Sequence, residues 1–186
     1  DVDSFAAQNA LEANYDFTPE EVVAVLNVGA EITNINIVQS GVPYFTKDLQ
    51  VGGHSFIEAT QRKFNLSQSE AAAAVRGESG TALEIAPVIE QACEGLATAL
   101  ERAQAYLRTA GEAGAVSRIM LCGGSALTPG LPEFLNRRFG VPAEIANPLA
   151  RVSSDPELFA GQDVMKVAPF LTVGLGLALR RLGDKK

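Results

Sequence analysis

The clearest pattern in the chain is a continuous apolar run at residues 22–26, Val-Val-Ala-Val-Leu, followed a few positions later by regular alternation. An apolar run of that length predicts a strand buried on both faces. Residues 33–38, Thr-Asn-Ile-Asn-Ile-Val, alternate polar and apolar positions and predict a half-buried strand. Ser40-Gly41 turns the chain into a third extended stretch at 42–51, which Gly52-Gly53 ends before a helix. Three strands joined by minimal turns need no crossover, so they are predicted to be consecutive antiparallel neighbours.

Downstream the apolar period lengthens to three and four. Residues 55–65 carry Phe56, Ile57 and Phe64 in a short amphipathic helical pattern. The stretch 66–80 is polar and alanine-rich, and Ser67 with Glu70 has capping-box spacing. Gly77 and Gly80 then loosen it, as suits a small peripheral lobe. Ile85, Ile89, Cys93, Leu96, Leu100 and Leu107 predict one long helix over 83–108, with Pro87 tolerated in its first turn or at a kink. Residues 118–122 read as a buried strand, predicted to pair in parallel with 22–26, and run into Gly123-Gly124-Ser125-Ala126. A helix at 131–139, an edge strand at 142–146, a polar loop at 147–163 and a closing helix at 164–182 complete the chain. At its start Phe5 and Leu11 share a helical face, with Asp3 as N-cap. The order βββα, insertion, αβαβα is an α/β fold with helices on both faces of a mixed sheet.

Composition removes several function classes. With 186 residues and 47% hydrophobic content the chain can bury a sizeable core. Fifteen basic against twenty-two acidic residues, a net charge of −7, argue against a nucleic-acid footprint, which needs a clustered basic face. Cys93 and Cys122 sit in apolar settings without a CxxC or Cys/His partner; they read as buried free thiols of a reducing cytosol, and no metal site is expected. The longest nearly apolar run, 167–179, is shorter than the roughly twenty residues that span a bilayer, so a soluble, intracellular protein is expected. His54 follows two glycines and reads as part of a helix start, and Asp48 and Glu58 read as solvated charges. A two-metal nuclease needs clustered carboxylates where the first strand offers Asn27. No catalytic residue is assigned.

Two glycine turns carry the candidate chemistry. In the connection Gly29-Ala30-Glu31, Gly29 is free to take a positive φ, and turn N–H groups without ladder partners can face an anion. A plain hairpin turn explains the same residues equally well. Gly123-Gly124-Ser125-Ala126 lies between a strand and a helix, where missing side chains let a ligand approach the backbone. A helix-entry loop with glycine for packing is the alternative. Gly174-Leu175-Gly176 in the closing helix reads as close helix–sheet packing.

The element order matches the ribonuclease-H-like half of the actin and sugar-kinase superfamily. Specific segments resemble the second half of the PilM family, actin-like type IV pilus assembly proteins. They are residues 1–10 (DVDSFAAQNA), 27–37 (NVGAEITNINI), 51–53 (VGG), 122–131 (CGGSALTPGL), Asn147-Pro148, Ala168-Pro169 and 174–180 (GLGLALR). The resemblance covers almost the whole chain. It implies residues 1–21 as interdomain helix and linker, and 22–65 with 83–186 as the larger subdomain. Residues 66–82, extending into the helix at 83–110, would be a small inserted lobe.

The resemblance also implies that Gly29, Ala30, Glu31 and Thr33 lie on the second phosphate-binding loop, and that Gly123, Gly124, Ser125 and Ala126 form the adenosine motif. The implied cofactor is ATP with Mg²⁺ in a complete protein, bound weakly or not at all by this chain. Active actin-like ATPases carry Asp where this sequence has Asn27, and an amide cannot supply the charge that positions Mg²⁺ or its waters. Of the Glu/Lys pair that holds ribose in relatives, only Glu70 and Arg76 remain.

The expected function is therefore a fragment or truncated form of a cytoplasmic scaffold of the type IV pilus inner-membrane platform, without ATP hydrolysis. Its implied partners are a PilN-like inner-membrane protein, received by a groove in the first half, and other platform proteins and assembly ATPases. Membrane attachment would come through those partners, with no nucleic acid. The alternatives are an FtsA-like cell-division filament protein or an ATP-hydrolysing actin-like or sugar-kinase-type enzyme. Loss of a facing domain is expected to open apolar surface near Val28, Ile32, Leu127 and Leu131 and to favour self-association, unless the first helix covers it.

Overall fold

In the computed structural model, residues 2–78, 84–111, 113–153, 155–159 and 161–180 are described. The apolar run forms β1 (Val22–Val28), in which every side chain except Asn27 is buried. A strand apolar on both faces is stable only with layers on either side, which places β1 in the middle of the sheet. It pairs antiparallel with β2 (Thr33–Gln39), which pairs antiparallel with β3 (Val42–Leu49). On its other side β1 runs parallel to β4 (Arg118–Cys122), which pairs in parallel with β5 (Ala143–Ile145) at the far edge. The sheet order is β3-β2-β1-β4-β5, with the three-strand meander and the parallel fourth strand as the sequence predicts.

The two faces of β1 feed two cores. Val22, Ala24, Leu26 and Val28 join Ile35, Ile37, Ile119 and Leu121 on one face. There α2 (Gly53–Phe64), α4 (Ala86–Ala110) and α5 (Leu131–Phe139) supply Phe56, Ile89, Cys93, Leu96, Leu100, Leu107 and Leu135. The short α3 (Gln68–Val75) adds Ala74 and Val75, and Ser67 and Glu70 close the expected capping box at its start. On the opposite face Val23, Val25, Met120 and Cys122 meet Ala7 and Leu11 of α1 (Asp3–Asn14).

Polar bonds fix α1 across the meander. Asn36, fully buried, donates to Gln8 Oε1 at 3.1 Å and to the Ser4 carbonyl at 3.3 Å, and its own Oδ1 accepts from Thr46 Oγ1. Gln8 in turn donates to the Gly41 carbonyl at 2.9 Å in the β2–β3 turn. Satisfied amides of this kind hold a helix in one register on a sheet, because any slip leaves them unpaired.

Several local expectations need correction. Asp3 lies in the first turn of α1 instead of capping it; Val2 is the N-cap. The closing helix is not continuous: α6 (Val164–Val167), a 3₁₀ turn (Ala168–Leu171) and α7 (Thr172–Ala178) take its place. Pro169 lacks an N–H for an α-helical bond, which accounts for the break. Asp163 caps α6 by accepting from the Met165 N–H. Positions 79–83, 181 and 182 lie outside the described residues, and with them parts of the inserted lobe, of the long helix and of the closing helix.

Of the two glycines of α7, Gly176 packs against a helix, not the sheet, and Gly174 packs against neither. A Cβ on Gly176 would lie 1.8 Å from the Ala6 carbonyl oxygen of α1, whereas one on Gly174 would meet nothing within 4 Å. The two positions therefore respond oppositely to alanine. Gly176→Ala forces α1 and α7 apart and is expected to cost about 1–3 kcal/mol. Gly174→Ala relieves helix-interior glycine and should add about 0.5–1 kcal/mol. Urea midpoints moving in opposite directions check this; a neutral Gly176→Ala would contradict the packing.

Candidate functional site

Parallel strands end at the same side of a sheet, so the turns that leave β1 and β4 emerge together. Asn27 of β1 pairs with Cys122 of β4 in the register, which brings Gly29-Ala30-Glu31-Ile32 beside Gly123-Gly124-Ser125-Ala126. The N-terminus of α2 is wedged between them. Its first amides donate to the turn, Gly53 N–H to the Gly29 carbonyl at 3.0 Å and His54 N–H to the Ala30 carbonyl at 2.7 Å. A Cβ on Gly52 would lie 2.6 Å from the Gly29 oxygen, and one on Gly53 would lie 2.4 Å from Ser125 Oγ and 3.9 Å from Ala30 Cα. Both turns thus converge on Gly53, and they approach this closely because no side chain stands there.

The first turn keeps only part of its expected donor set. Gly29 does not use a positive φ; its N–H donates to the Ile32 carbonyl at 2.9 Å, and a Cβ there would meet that same oxygen at 2.9 Å. Close approach, not backbone handedness, calls for glycine at this position. Thr33 drops out of the site. It is fully buried and its hydroxyl donates to the Val51 carbonyl at 2.7 Å, which leaves it nothing to offer a phosphate. Ala30, Glu31 and Ile32 are exposed, and their backbone N–H groups donate to no group among the described residues. Glu31 Oε1 stands 3.7 Å from His54 Nδ1 across the mouth of the turn, so the carboxylate and the lone histidine mark its rim.

The second turn is a 3₁₀ segment, Gly124–Leu127. Gly123 adopts φ +83°, and a Cβ would lie 2.5 Å from the Val28 oxygen and 2.7 Å from Asn27 Oδ1, so both backbone and space require glycine. Gly123 and Ala126 are buried, whereas Gly124 and Ser125 are half-buried. Glu70 and Arg76 do not reach toward this turn as free side chains: Glu70 accepts from Ser67, and Arg76 pairs with Glu78. The Ser67 hydrogen bonds hold the Glu70 carboxyl below its ordinary range.

A row of polar side chains crosses the sheet just behind the turns. Cys122 Sγ lies 3.8 Å from Asn27 Oδ1, Asn27 Nδ2 donates to Asn34 Oδ1 at 2.8 Å, and Asn34 Nδ2 donates to Asp48 Oδ1 at 2.7 Å. Asp48 is thus tied into a row and is not simply a solvated charge. Asn27 spends its amide on neighbouring strands, and burial pushes the Cys122 thiol up to about 12. Among the described residues no cluster of three or more His, Cys, Asp or Glu could hold a metal. The expected apolar cleft wall is also smaller than the sequence implies. Val28 and Leu131 are fully buried, Leu127 is half-buried, and only Ile32 is exposed.

The family profile described as type IV pilus assembly protein PilM matches residues 1–182. The chain belongs to the PilM family. A solved PilM–PilN type IV pilus biogenesis complex contains a chain 31% identical to this one, with TM-score 0.79 over 96% of this chain and 51% of that one. The ethanolamine utilization protein EutJ of Carboxydothermus hydrogenoformans shares the fold at 19% identity and TM-score 0.63, over 96% of this chain and 54% of that one. MreB5 of Spiroplasma citri, solved with AMPPNP, does so at 16% identity and TM-score 0.65, over 94% and 56%. The chain thus spans about half the length of these proteins, and its fold is that of the actin-like group.

The sequence missed three contributors to this PilM-family site. Gly52 and Gly53 are legible only as a strand end, although a double glycine before a helix signals close approach. Phe170 cannot be found from spacing at all; its ring lies against Gly124, far back along the chain, where a Cβ would stand 2.3 Å from its Cε1. The site also makes a prediction about its floor. Cys122 and Cys93 are buried, and burial pushes both thiols to about 12, so an aromatic disulfide reagent at pH 8 should modify neither in the native protein and both on unfolding. Native-state reaction at Cys122 would show that the cleft floor is open.

Proposed function

We propose that this chain forms one wall of a nucleotide cleft in a non-hydrolysing, PilM-type scaffold of the type IV pilus platform, in the cytoplasm. One observation carries the reading: two glycine turns and the start of α2 meet at Gly53, where the amides of the exposed Ala30, Glu31 and Ile32 donate to no group among the described residues. Turn amides of that kind suit phosphate oxygens, and the half-buried Gly124 and Ser125 put the second turn within reach of a flat ligand. ATP fits these residues. Magnesium fits poorly, because Asn27 is an amide with its hydrogen bonds committed to Asn34 and Cys122. Bound nucleotide would supply charge and bulk to order the turns, not a reacting phosphate.

On this reading Ala30, Glu31 and Ile32 amides hold phosphate, while Gly123, Gly124, Ser125 and Ala126 receive the nucleoside. Affinity is modest, because one wall supplies half the contacts of a two-sided cleft and Glu31 repels phosphate from the rim. A PilN-like inner-membrane protein is the proposed partner, by likeness to the solved PilM–PilN complex, received through the half of the family fold that this chain does not span. Other platform proteins and assembly ATPases would bind the same scaffold, and membrane attachment would be peripheral, through PilN. No helix among the described residues is long and apolar enough to cross a membrane.

Calorimetric titration with MgATP, beside a phosphate-release assay, tests the reading. Binding weaker than micromolar is expected, lost in Ala30→Asp, where an added carboxylate faces the phosphates from an exposed position. Phosphate release should equal that of Ala30→Asp. Submicromolar affinity, turnover above that variant, or binding that Ala30→Asp leaves intact would each contradict it.

A further inference from the structure

Phe170 is the only exposed phenylalanine among the described residues, at 62%. Single exposed aromatics are ordinary on a protein surface, so exposure alone says little. What distinguishes Phe170 is how firmly its backbone is held and what its ring touches. It sits in the 3₁₀ turn Ala168–Leu171, and the carbonyl of its neighbour Pro169 accepts two hydrogen bonds. One comes from Gly123 N–H at 2.9 Å, the other from the buried Thr172 hydroxyl at 3.0 Å. The backbone that carries the ring is thereby tied to the glycine turn that follows β4.

Gly124 then shows where the ring lies. A Cβ at that position would be 2.3 Å from Phe170 Cε1 and 2.9 Å from both Cδ1 and Cζ, so one ring edge rests on the Gly124 backbone. The missing side chain at 124 is used by an aromatic ring of the same chain. A ring that plugged the cleft would be buried on both faces. With 62% exposure, Phe170 instead leaves most of its surface open at the half-buried mouth of the turn. An exposed aromatic ring seated on the turn in this way matches a flat heterocycle, which stacks on it at the mouth of the turn.

We propose that Phe170 is the shelf on which the base of a purine nucleotide stacks, a positioning and specificity residue of the Gly123–Ala126 turn. The proposal rests on the nucleotide reading above and adds the base contact to it. Stacking acts on the base alone, so phosphate affinity should not depend on this ring. Titrations with ATP and with inorganic tripolyphosphate separate the two. Phe170→Ala should weaken ATP about tenfold, which corresponds to about 1.4 kcal/mol, and leave tripolyphosphate unchanged.

Phe170→Trp provides the second readout, because the sequence contains no tryptophan. Its single indole should keep ATP affinity within about twofold of the parent protein, and its emission should respond to ATP but not to tripolyphosphate. If Phe170→Ala binds ATP as well as or better than the parent, the shelf is overturned while the nucleotide reading stands. Equal loss of ATP and tripolyphosphate would reduce Phe170 to a support of the turn and overturn it too. A parent protein that binds neither ligand removes the nucleotide reading itself, and the shelf with it.

Discussion

The parallel pairing of β1 with β4 is the contact on which the site depends. Antiparallel neighbours put successive turns at opposite ends of a sheet, whereas parallel neighbours put them at the same end. With Asn27 beside Cys122, the turn after each strand opens at one edge, outside the carboxyl ends of the central strands. Open α/β sheets form ligand crevices at such edges. The pairing itself follows from burial. β1 is apolar on both faces and β4 nearly so, and strands of that composition are stable only inside a layered sheet. Helix α2 then enters between the turns, at the glycine pair that leaves room for it.

What the edge can do follows from which polar groups are spent. Gly29 N–H, the Thr33 hydroxyl, the Asn27 amide and the first two amides of α2 all bond within the chain. Ala30, Glu31 and Ile32, all exposed residues, keep their N–H groups unspent among the described residues. A site of that kind offers neutral dipoles to an anion, with the Glu31 carboxylate at its rim. On the proposed reading it orients a phosphate, and no charged set of the kind that drives phosphoryl transfer stands beside it among the described residues.

Much of the fold is legible in the sequence because burial leaves a periodic trace. The runs at 22–26 and 118–122 and the alternation at 33–38 lead to the observed strands and their order. The site is legible in part. Both glycine turns stand out, but Thr33 reads as a phosphate ligand only because it follows the turn. Strand parity gives the better reading: Thr33 shares a face with Ile35 and Ile37, which is the core face, so its hydroxyl points inward. The break at Pro169 is also visible, since a proline inside a helical pattern removes a bond. The Phe170–Gly124 contact, the committed amide of Asn27 and the close fit of Gly176 to Ala6 arise only in three dimensions. No local pattern encodes them.

The central claim is that one edge of the sheet, and not a groove elsewhere, receives a nucleotide. Amide chemical-shift mapping of the isotope-labelled chain during an ADP titration tests it most directly. The account predicts that the largest shifts fall at residues 30–32, 53–54 and 123–127 and at Phe170, with the β3–α4 surface around Phe45, Gly95 and Tyr106 unmoved. Shifts centred on that surface, or spread evenly over the chain, would contradict it.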